Sequence, residues 1–451
     1  MEALGYLLDV EDRSLREKVK VGIIDFSIEG LHLVHRLSDE GFQIAILDIN
    51  DSFKYLTNYL LHDKTVENSI KDLKRKIREG KILVSSNPTS LKDSIFFFIF
   101  TNVQTDEKGK AEYQLLERSC QTVGDLITKN SVVIISTRIF PGTTERVLRE
   151  KLENRSGMKA SVDFGLAYVA IPLGGRPVIV GALDEYSLNA VAKLFEALLN
   201  GEVIKTKSIK IAEATSFLED AYYSINLAFS NEVAELCERM NLDFFEVTTF
   251  LRKVGLSNIV NPHPIEKTFL STHRMFIDEA GNLNVKLRML KLSTEINESM
   301  MKRVFNLIKN GLKSSNKTVR RSKALIIGVP LSIHSTSPRT SITKSLYDLL
   351  GKGGMQVEVF TSNPLFEGVE DLGFKVQDNL EKSLKGKDCL IFMSKEKVLS
   401  DLSLRQMKHL VNQPALIVDL ANEVDKEEAL REGFLYINLG RGLQSRWISY
   451  E

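Results

Sequence analysis

The sequence predicts an α/β protein with two doubly wound parallel sheets, joined by one long helix and a helical segment. Three observations predict it. Short apolar runs alternate with helical periodicities across residues 18–152 and again from residue 324 onward. Many of those runs, 94–100 above all, are continuously apolar rather than alternating, the mark of strands covered on both faces of a parallel sheet. Between the two blocks, apolar residues recur at helical spacing from residue 210 to residue 240 without a break.

Residues 18–24 read as a buried strand and 31–40 as a helix with Leu31, Leu33, Val34 and Leu37 on one side. Gly41 stops that helix, 42–47 is a second strand, and Asp48 stands at its end. Strand, tight turn, helix, strand and terminal acid form the first unit of a dinucleotide-binding fold. Its fingerprint asks for glycine at three places in the turn, which here hold Asp25, Ser27 and Gly30. Gly30 keeps the close helix–strand packing. Asp25 and Ser27 replace the two glycines that let backbone N–H groups approach a pyrophosphate. The frame of a nicotinamide-nucleotide (NAD) site is expected, with a damaged phosphate cradle.

Further strands are expected at 82–85, 94–100 and 131–136, a polar turn at 106–112 and a helix at 113–129. Pro141, Gly142, Thr143 and Thr144 form a loop entering a helix that runs through Leu152; its free N–H groups suit an anion, or a threonine simply caps the helix. The long helix, 210–240, carries Phe217, Leu218, Ala221, Tyr222, Ile225, Ala228 and Phe229. A helix follows at 243–254. Residues 257–284 show no strong periodicity, 287–312 are helical again, and 313–323 are a basic linker. The second α/β block has strands at 324–329, 356–360, 389–394, 414–420 and 434–439, with a helix at 341–350. The implied domains are 1–205, 206–312 and 313–451.

Lysine plus arginine nearly balance aspartate plus glutamate, for a net charge of +1, so no basic field points to nucleic acid. No apolar run is long enough to span a bilayer, and the first residues lack a secretory pattern. A soluble, cytoplasmic protein is expected. Cys120, Cys237 and Cys389 have no metal or disulfide spacing and read as buried structural thiols.

Several stretches carry a resemblance in their order and spacing: TNVQTDEKGKAEY from Thr101, STRIFPGTTERV from Ser136, LENRSGMKASVDFGLAY from Leu152, INLAFSNEVAELCERMNLDFFEV from Ile225, STEINESM from Ser293 and GFLYINLGRG from Gly433. Together they resemble the UDP-glucose/GDP-mannose dehydrogenase family, over nearly the whole chain. The resemblance implies an N-terminal NAD domain, a central helical dimer domain and a C-terminal nucleotide-sugar domain. It also implies a four-electron oxidation of a sugar C6 alcohol by two NAD⁺, through a thiohemiacetal on cysteine.

That chemistry asks for a thiolate, a lysine and an asparagine steadying an oxyanion, and a carboxylate. The expected cysteine loop corresponds to 257–284, which holds no cysteine and one glycine, Gly281. The lysine position falls on Ser216, the asparagine on Asp220 and the glutamate at about Ile171. A Phe-Lys pair and an Asp-Asp-x-Arg motif give way to a run with Ser332 and Ser335 near the lysine and arginine places, although Ser337 and Pro338 are kept. An Asp-Gly-Arg-Asn segment reads Asp419, Leu420, Ala421, Asn422. His263 and His273 lie in the altered loop and read as surface polar residues.

No catalytic or metal-ligating residue is therefore assigned. The cofactor-binding candidates are Gly30, Asp48, Thr101, Ser136 and Thr137. The expectation is a pseudoenzyme of polysaccharide-precursor chemistry with a binding, regulatory or assembly role. It would form a homodimer through residues 217–233 or pair with an active relative, with a nucleotide sugar as a possible ligand. An active NAD-dependent oxidoreductase with altered chemistry and a purely structural interaction protein are the alternatives.

Overall fold

The structure is a computed structural model describing residues 16–25, 28–48, 72–106, 109–171, 177–199, 202–330, 341–361, 373–374, 376–377, 379–394, 396 and 402–444. The chain divides into two compact units, residues 1–221 with 271–286, and residues 222–270 with 287–451.

In the first unit, β1 (Lys20–Ile24), α1 (Ile28–Asp39) and β2 (Gln43–Leu47) are followed by β3 (Ile82–Ser85) and β4 (Phe96–Ile99). The segment expected as a polar turn is a small antiparallel hairpin of β5 (Gln104–Thr105) and β6 (Ala111–Glu112). Next come α2 (Gln114–Gly124), β7 (Val132–Ile135), a turn of π-helix at Thr144–Leu148, α3 (Arg149–Ser156), β8 (Gly165–Ala170), β9 (Val178–Ala182), α4 (Glu185–Leu199) and β10 (Val203–Thr206). Helix α2 ends at Gly124, short of the expected residue 129, because the chain leaves α geometry for i→i−3 bonding at Leu126 and a left-handed turn at Asn130.

The strands form one sheet in the order β10-β9-β8-β7-β4-β1-β2-β3. From β3 to β8 all pairs are parallel, and β9 reverses against β8. The residues joining β8 to β9 are too few for a crossover helix, so this edge cannot stay parallel. Alternation along β4 covers both faces. Phe97 and Ile99 pack with Leu116, Cys120 and Val123 of α2, while Phe98 meets Phe195 of α4 edge-on at 6.1 Å. Each such buried aromatic contributes about 2–3 kcal/mol through removal from water. The strand order reverses between β1 and β4, which places the crevice beyond their C-terminal ends, where ligands bind in sheets of this kind.

Helix α5 (Ile209–Arg239) passes from the first unit into the second, followed by α6 (Phe244–Lys253), α7 (Lys267–Asn282) and α8 (Arg288–Ser314). Helix α7 lies in the segment for which periodicity gave no element. Among its buried residues, Phe269, His273, Phe276 and Ala280 fall at helical spacing, but a histidine among them breaks the apolar pattern.

The second unit's sheet joins β11 (Lys323–Ile327), β12 (Gln356–Phe360), β13 (Val376–Gln377), β14 (Cys389–Phe392), β15 (Leu416–Asp419), β16 (Leu435–Asn438) and β17 (Gly442–Gln444) in the order β13-β12-β11-β14-β15-β16-β17. All pairs are parallel except β16–β17, a tight hairpin over Gly440. One face packs on short helices through Leu384, Met407 and Ala429. The other takes α8 so closely that a Cβ on Gly311 would lie 2.8 Å from Ile437 and 2.9 Å from Leu416.

Candidate functional site

The turn after β1 explains the missing glycine. Asp25 is buried and left-handed at φ +56°, the conformation in which glycine is at ease and aspartate is tolerated. Its N–H donates to the carbonyl of Leu47 at 3.1 Å. The second sheet makes the same turn with a glycine: Gly328 follows β11 at φ +89° and donates to Phe360 at 2.8 Å. A Cβ there would sit 2.2 Å from the hydroxyl of Ser394. At this position the first sheet thus keeps the left-handed backbone of its counterpart and carries an aspartate in place of the glycine. Ser27 lies outside the described residues.

The other candidates gather at the C-terminal edge of the first sheet. Gly30 is buried on α1, where a Cβ would come 3.4 Å from the ring of Phe100, as its packing role requires. Asp48 is half-buried at the end of β2, with its N–H on the carbonyl of Ser85 at 3.0 Å. The hydroxyl of Thr101 pairs with that of Ser119 at 2.7 Å, and Ser136 donates to the carbonyl of Val169 at 3.1 Å. Thr137 donates to Asn102 at 3.4 Å. The topology brings these residues to one edge, but the hydroxyls of Thr101, Ser136 and Thr137 are all satisfied inside the protein. The residues present fit a dinucleotide poorly.

The loop 141–144 answers its two readings with a third. Glu213, fully buried on α5, takes the N–H groups of Gly142 and, at 2.9 Å, of Thr144. The chain's own carboxylate fills the anion position. Burial raises the Glu213 pKa and these N–H bonds oppose the rise.

One turn further along α5 are Ser216, buried, and then Asp220, also fully buried. Asp220 accepts from Nε of Arg138 at 2.6 Å, an ion pair whose arginine is 20% exposed. The Tyr168 hydroxyl donates to the carbonyl of Thr137 at 2.9 Å and burial pushes its pKa up. Behind them Phe276 of α7 stacks on Phe217 at 3.6 Å. Sequence reasoning named the α5 positions but missed Arg138 and Glu213, whose partners lie some 70–80 residues away in the chain.

The two histidines are not surface residues. His273 is fully buried on α7, and desolvation drops its pKa to about 4 against an opposing contact with the main chain of Asp220. His263 is half-buried in the second unit: Nδ1 donates to the carbonyl of Asn261 at 2.8 Å, so Nε2 accepts from the hydroxyl of Tyr223 at 3.1 Å. Burial lowers its pKa too. All three cysteines are buried, as expected, and burial raises each thiol pKa. Ser332, Ser335, Ser337 and Pro338 lie outside the described residues. Among the described residues one cluster has metal-ligand spacing, His35, Asp39 and Asp72. Lys76 already occupies it, with Nζ 2.7 Å from Asp72 and also on Asp39. No described helix is long and apolar enough to cross a membrane.

The chain is similar over almost its full length to UDP-N-acetyl-D-mannosamine dehydrogenase of Pyrococcus horikoshii, at 24% identity over 448 residues covering 94% of this chain and 100% of the relative. The protein of that name from Methanocaldococcus jannaschii is 22% identical over 428 residues, covering 94% and 97%. A solved structure of UDP-D-ManNAc dehydrogenase from Pyrococcus horikoshii aligns with TM-score 0.76 at 19% identity, over 94% of this chain and 100% of that one. Cap5O, the UDP-N-acetyl-mannosamine dehydrogenase of Staphylococcus aureus, aligns with TM-score 0.70 at 18% identity, over 93% and 98%. At these identities the structures speak for the fold alone. The model of the NAD-binding domain of the UDP-glucose/GDP-mannose dehydrogenase family matches residues 19–170, and that of its central domain matches residues 210–299. With more than half of the 451 residues matched by these two domains in their family order, the chain belongs to the UDP-glucose/GDP-mannose dehydrogenase family.

Proposed function

We propose that this chain is a pseudoenzyme: it keeps the nucleotide-sugar dehydrogenase scaffold, lacks the four-electron oxidation, and works by binding, regulation or assembly. The observation that carries this reading is the state of its thiols. The chain has three cysteines, each is buried, and burial disfavours the thiolate of each. A covalent aldehyde intermediate needs a reachable thiolate. The α5 positions add support, since Ser216 and Asp220 stand where the resemblance implies lysine and asparagine. Asp220 supplies negative charge, held by Arg138, where an oxyanion needs donors.

Nicotinamide-nucleotide binding is correspondingly weak in this reading. Asp48 is the group best placed for a ribose hydroxyl, with Gly30, Thr101, Ser136 and Thr137 shaping the edge around it, while Asp25 repels the pyrophosphate. Association runs through α5, either between two copies or with an active relative.

The test is NADH formation by the purified chain with NAD⁺ and a panel of UDP- and GDP-sugars, beside the Pyrococcus horikoshii relative. Loss of even one oxyanion partner lowers a rate by roughly 10²–10³, so turnover at least about 10³-fold below the relative is expected. Sustained turnover at the relative's rate overturns the proposal. Thermal shifts on the same panel separate a binding role from a purely structural one, because a ligand at ~100 times its dissociation constant adds about 2.7 kcal/mol.

A further inference from the structure

The second unit holds a cleft of about 660 Å³ lined by the end of α5, one face of α8 and the start of β17. That volume lies within the range of small-molecule sites. Its floor is a fixed ionic lattice. Nη2 of Arg303 lies 2.7 Å from Glu238 and its Nε 3.4 Å from Glu235. Glu238 also takes the N–H of Gly440 at 2.8 Å, and Arg239 binds Glu235 at 3.0 Å. Both floor carboxylates are thereby neutralised by arginines.

The rim is different. Lys302, Asn306, Lys309 and Asn310 are exposed and lie at i, i+4, i+7 and i+8, one face of α8. Neither lysine makes an ion pair among the described residues. Four cations against two carboxylates leave the cleft with a surplus of +2, concentrated on Lys302 and Lys309. These lysines start about 10 Å apart along the helix axis, at 1.5 Å per residue. Flexible stems let both ammonium groups converge on an elongated anion, whereas a single carboxylate would satisfy one of them. The amides of Asn306 and Asn310 stand between and beside them as further donors. The lining has no aromatic side chain, and its apolar side chains are Leu307 and Leu443, so no platform is offered for stacking a base.

We propose that this cleft binds a small polyanion of the di- or triphosphate type, recognised through its charged oxygens and not through a base or sugar. This is independent of the pseudoenzyme reading, because it lies wholly within the second unit and requires no redox chemistry.

The probe is inorganic triphosphate, titrated calorimetrically into the full-length chain at low and at physiological ionic strength, with sulfate as a single-centre control. Saturable binding is expected, tighter than sulfate and weakening with salt as charge recognition requires. The double variant Lys302→Glu, Lys309→Glu should weaken it at least tenfold. Both side chains are exposed, so unchanged circular dichroism and thermal midpoint in the absence of triphosphate check that the variant folds. A second variant, Asn306→Leu, narrows the cleft without changing charge and should also weaken binding. Absence of saturable binding at low salt, or binding unaffected by the double charge reversal, overturns the proposal.

Discussion

Asp220 is the residue on which the candidate cluster turns. Its carboxylate is fully buried, and the Arg138 guanidinium compensates it at 2.6 Å. Removing the arginine strands a charge in a poorly solvated place, whereas removing the aspartate leaves an arginine that still reaches water. Arg138→Met should therefore cost about 3–5 kcal/mol, Asp220→Asn distinctly less, and the double substitution less than the sum of the two. Urea denaturation of the four proteins measures the cycle; additive costs would show that the pair is not coupled. This pairing was illegible in the sequence because an arginine at the end of a strand and an aspartate on a helix look like ordinary surface residues until the fold joins them. Asp25 was legible. The fingerprint fixes its position and the need for a positive φ, and the structure finds it at +56°.

At the scale of elements, the strands were readable because burial on two faces leaves long apolar runs, and α7 was not, because its core position 273 is a histidine. That histidine makes the helix testable. In the fold its pKa lies near 4, below the ordinary value of 6.5, because burial penalises the charged ring. Above pH 6.5 neither folded nor unfolded chain is protonated at this position and its contribution is whole. Between 6.5 and 4 the unfolded chain takes a proton that the folded chain refuses, so stability falls as pH falls, by at most about 1.4 kcal/mol per pH unit. His273→Leu removes this dependence. Measured by urea denaturation at pH 5, 6 and 7.5, the stability of the native protein relative to the variant should drop toward pH 5 and change little between neutral and mildly alkaline pH. Glu213, whose pKa is raised, titrates with the opposite sign but is present in both proteins and cancels in the difference. Parallel pH profiles would show that His273 is not held neutral.

At the scale of the whole molecule, a net charge of +1 gives little electrostatic repulsion between copies, so association is decided by apolar surface. The sequence marked α5 as apolar all along but could not say which side was core. The structure divides it: Ala212, Ala221, Leu227, Ala228 and Ala234 are buried, while Ile211, Leu218, Tyr222, Phe229, Leu236 and, one residue past its end, Met240 are each more than half exposed. The exposed set repeats at intervals of seven and four residues, the spacing of a helix–helix seam running about 44 Å. A lone apolar residue on a surface is ordinary, but a continuous stripe of this length is not. In the dimer proposed above, α5 lies against its counterpart along this stripe. Each apolar side chain covered there contributes about 1.5–3 kcal/mol, so Phe229→Asp with Leu236→Asp should raise the dissociation constant at least ~100-fold. Light scattering at micromolar concentration should then read half the native mass, with circular dichroism unchanged because both side chains point away from the core. A native protein that is already monomeric, or a variant that keeps the dimer mass, would exclude this face of α5 as the contact.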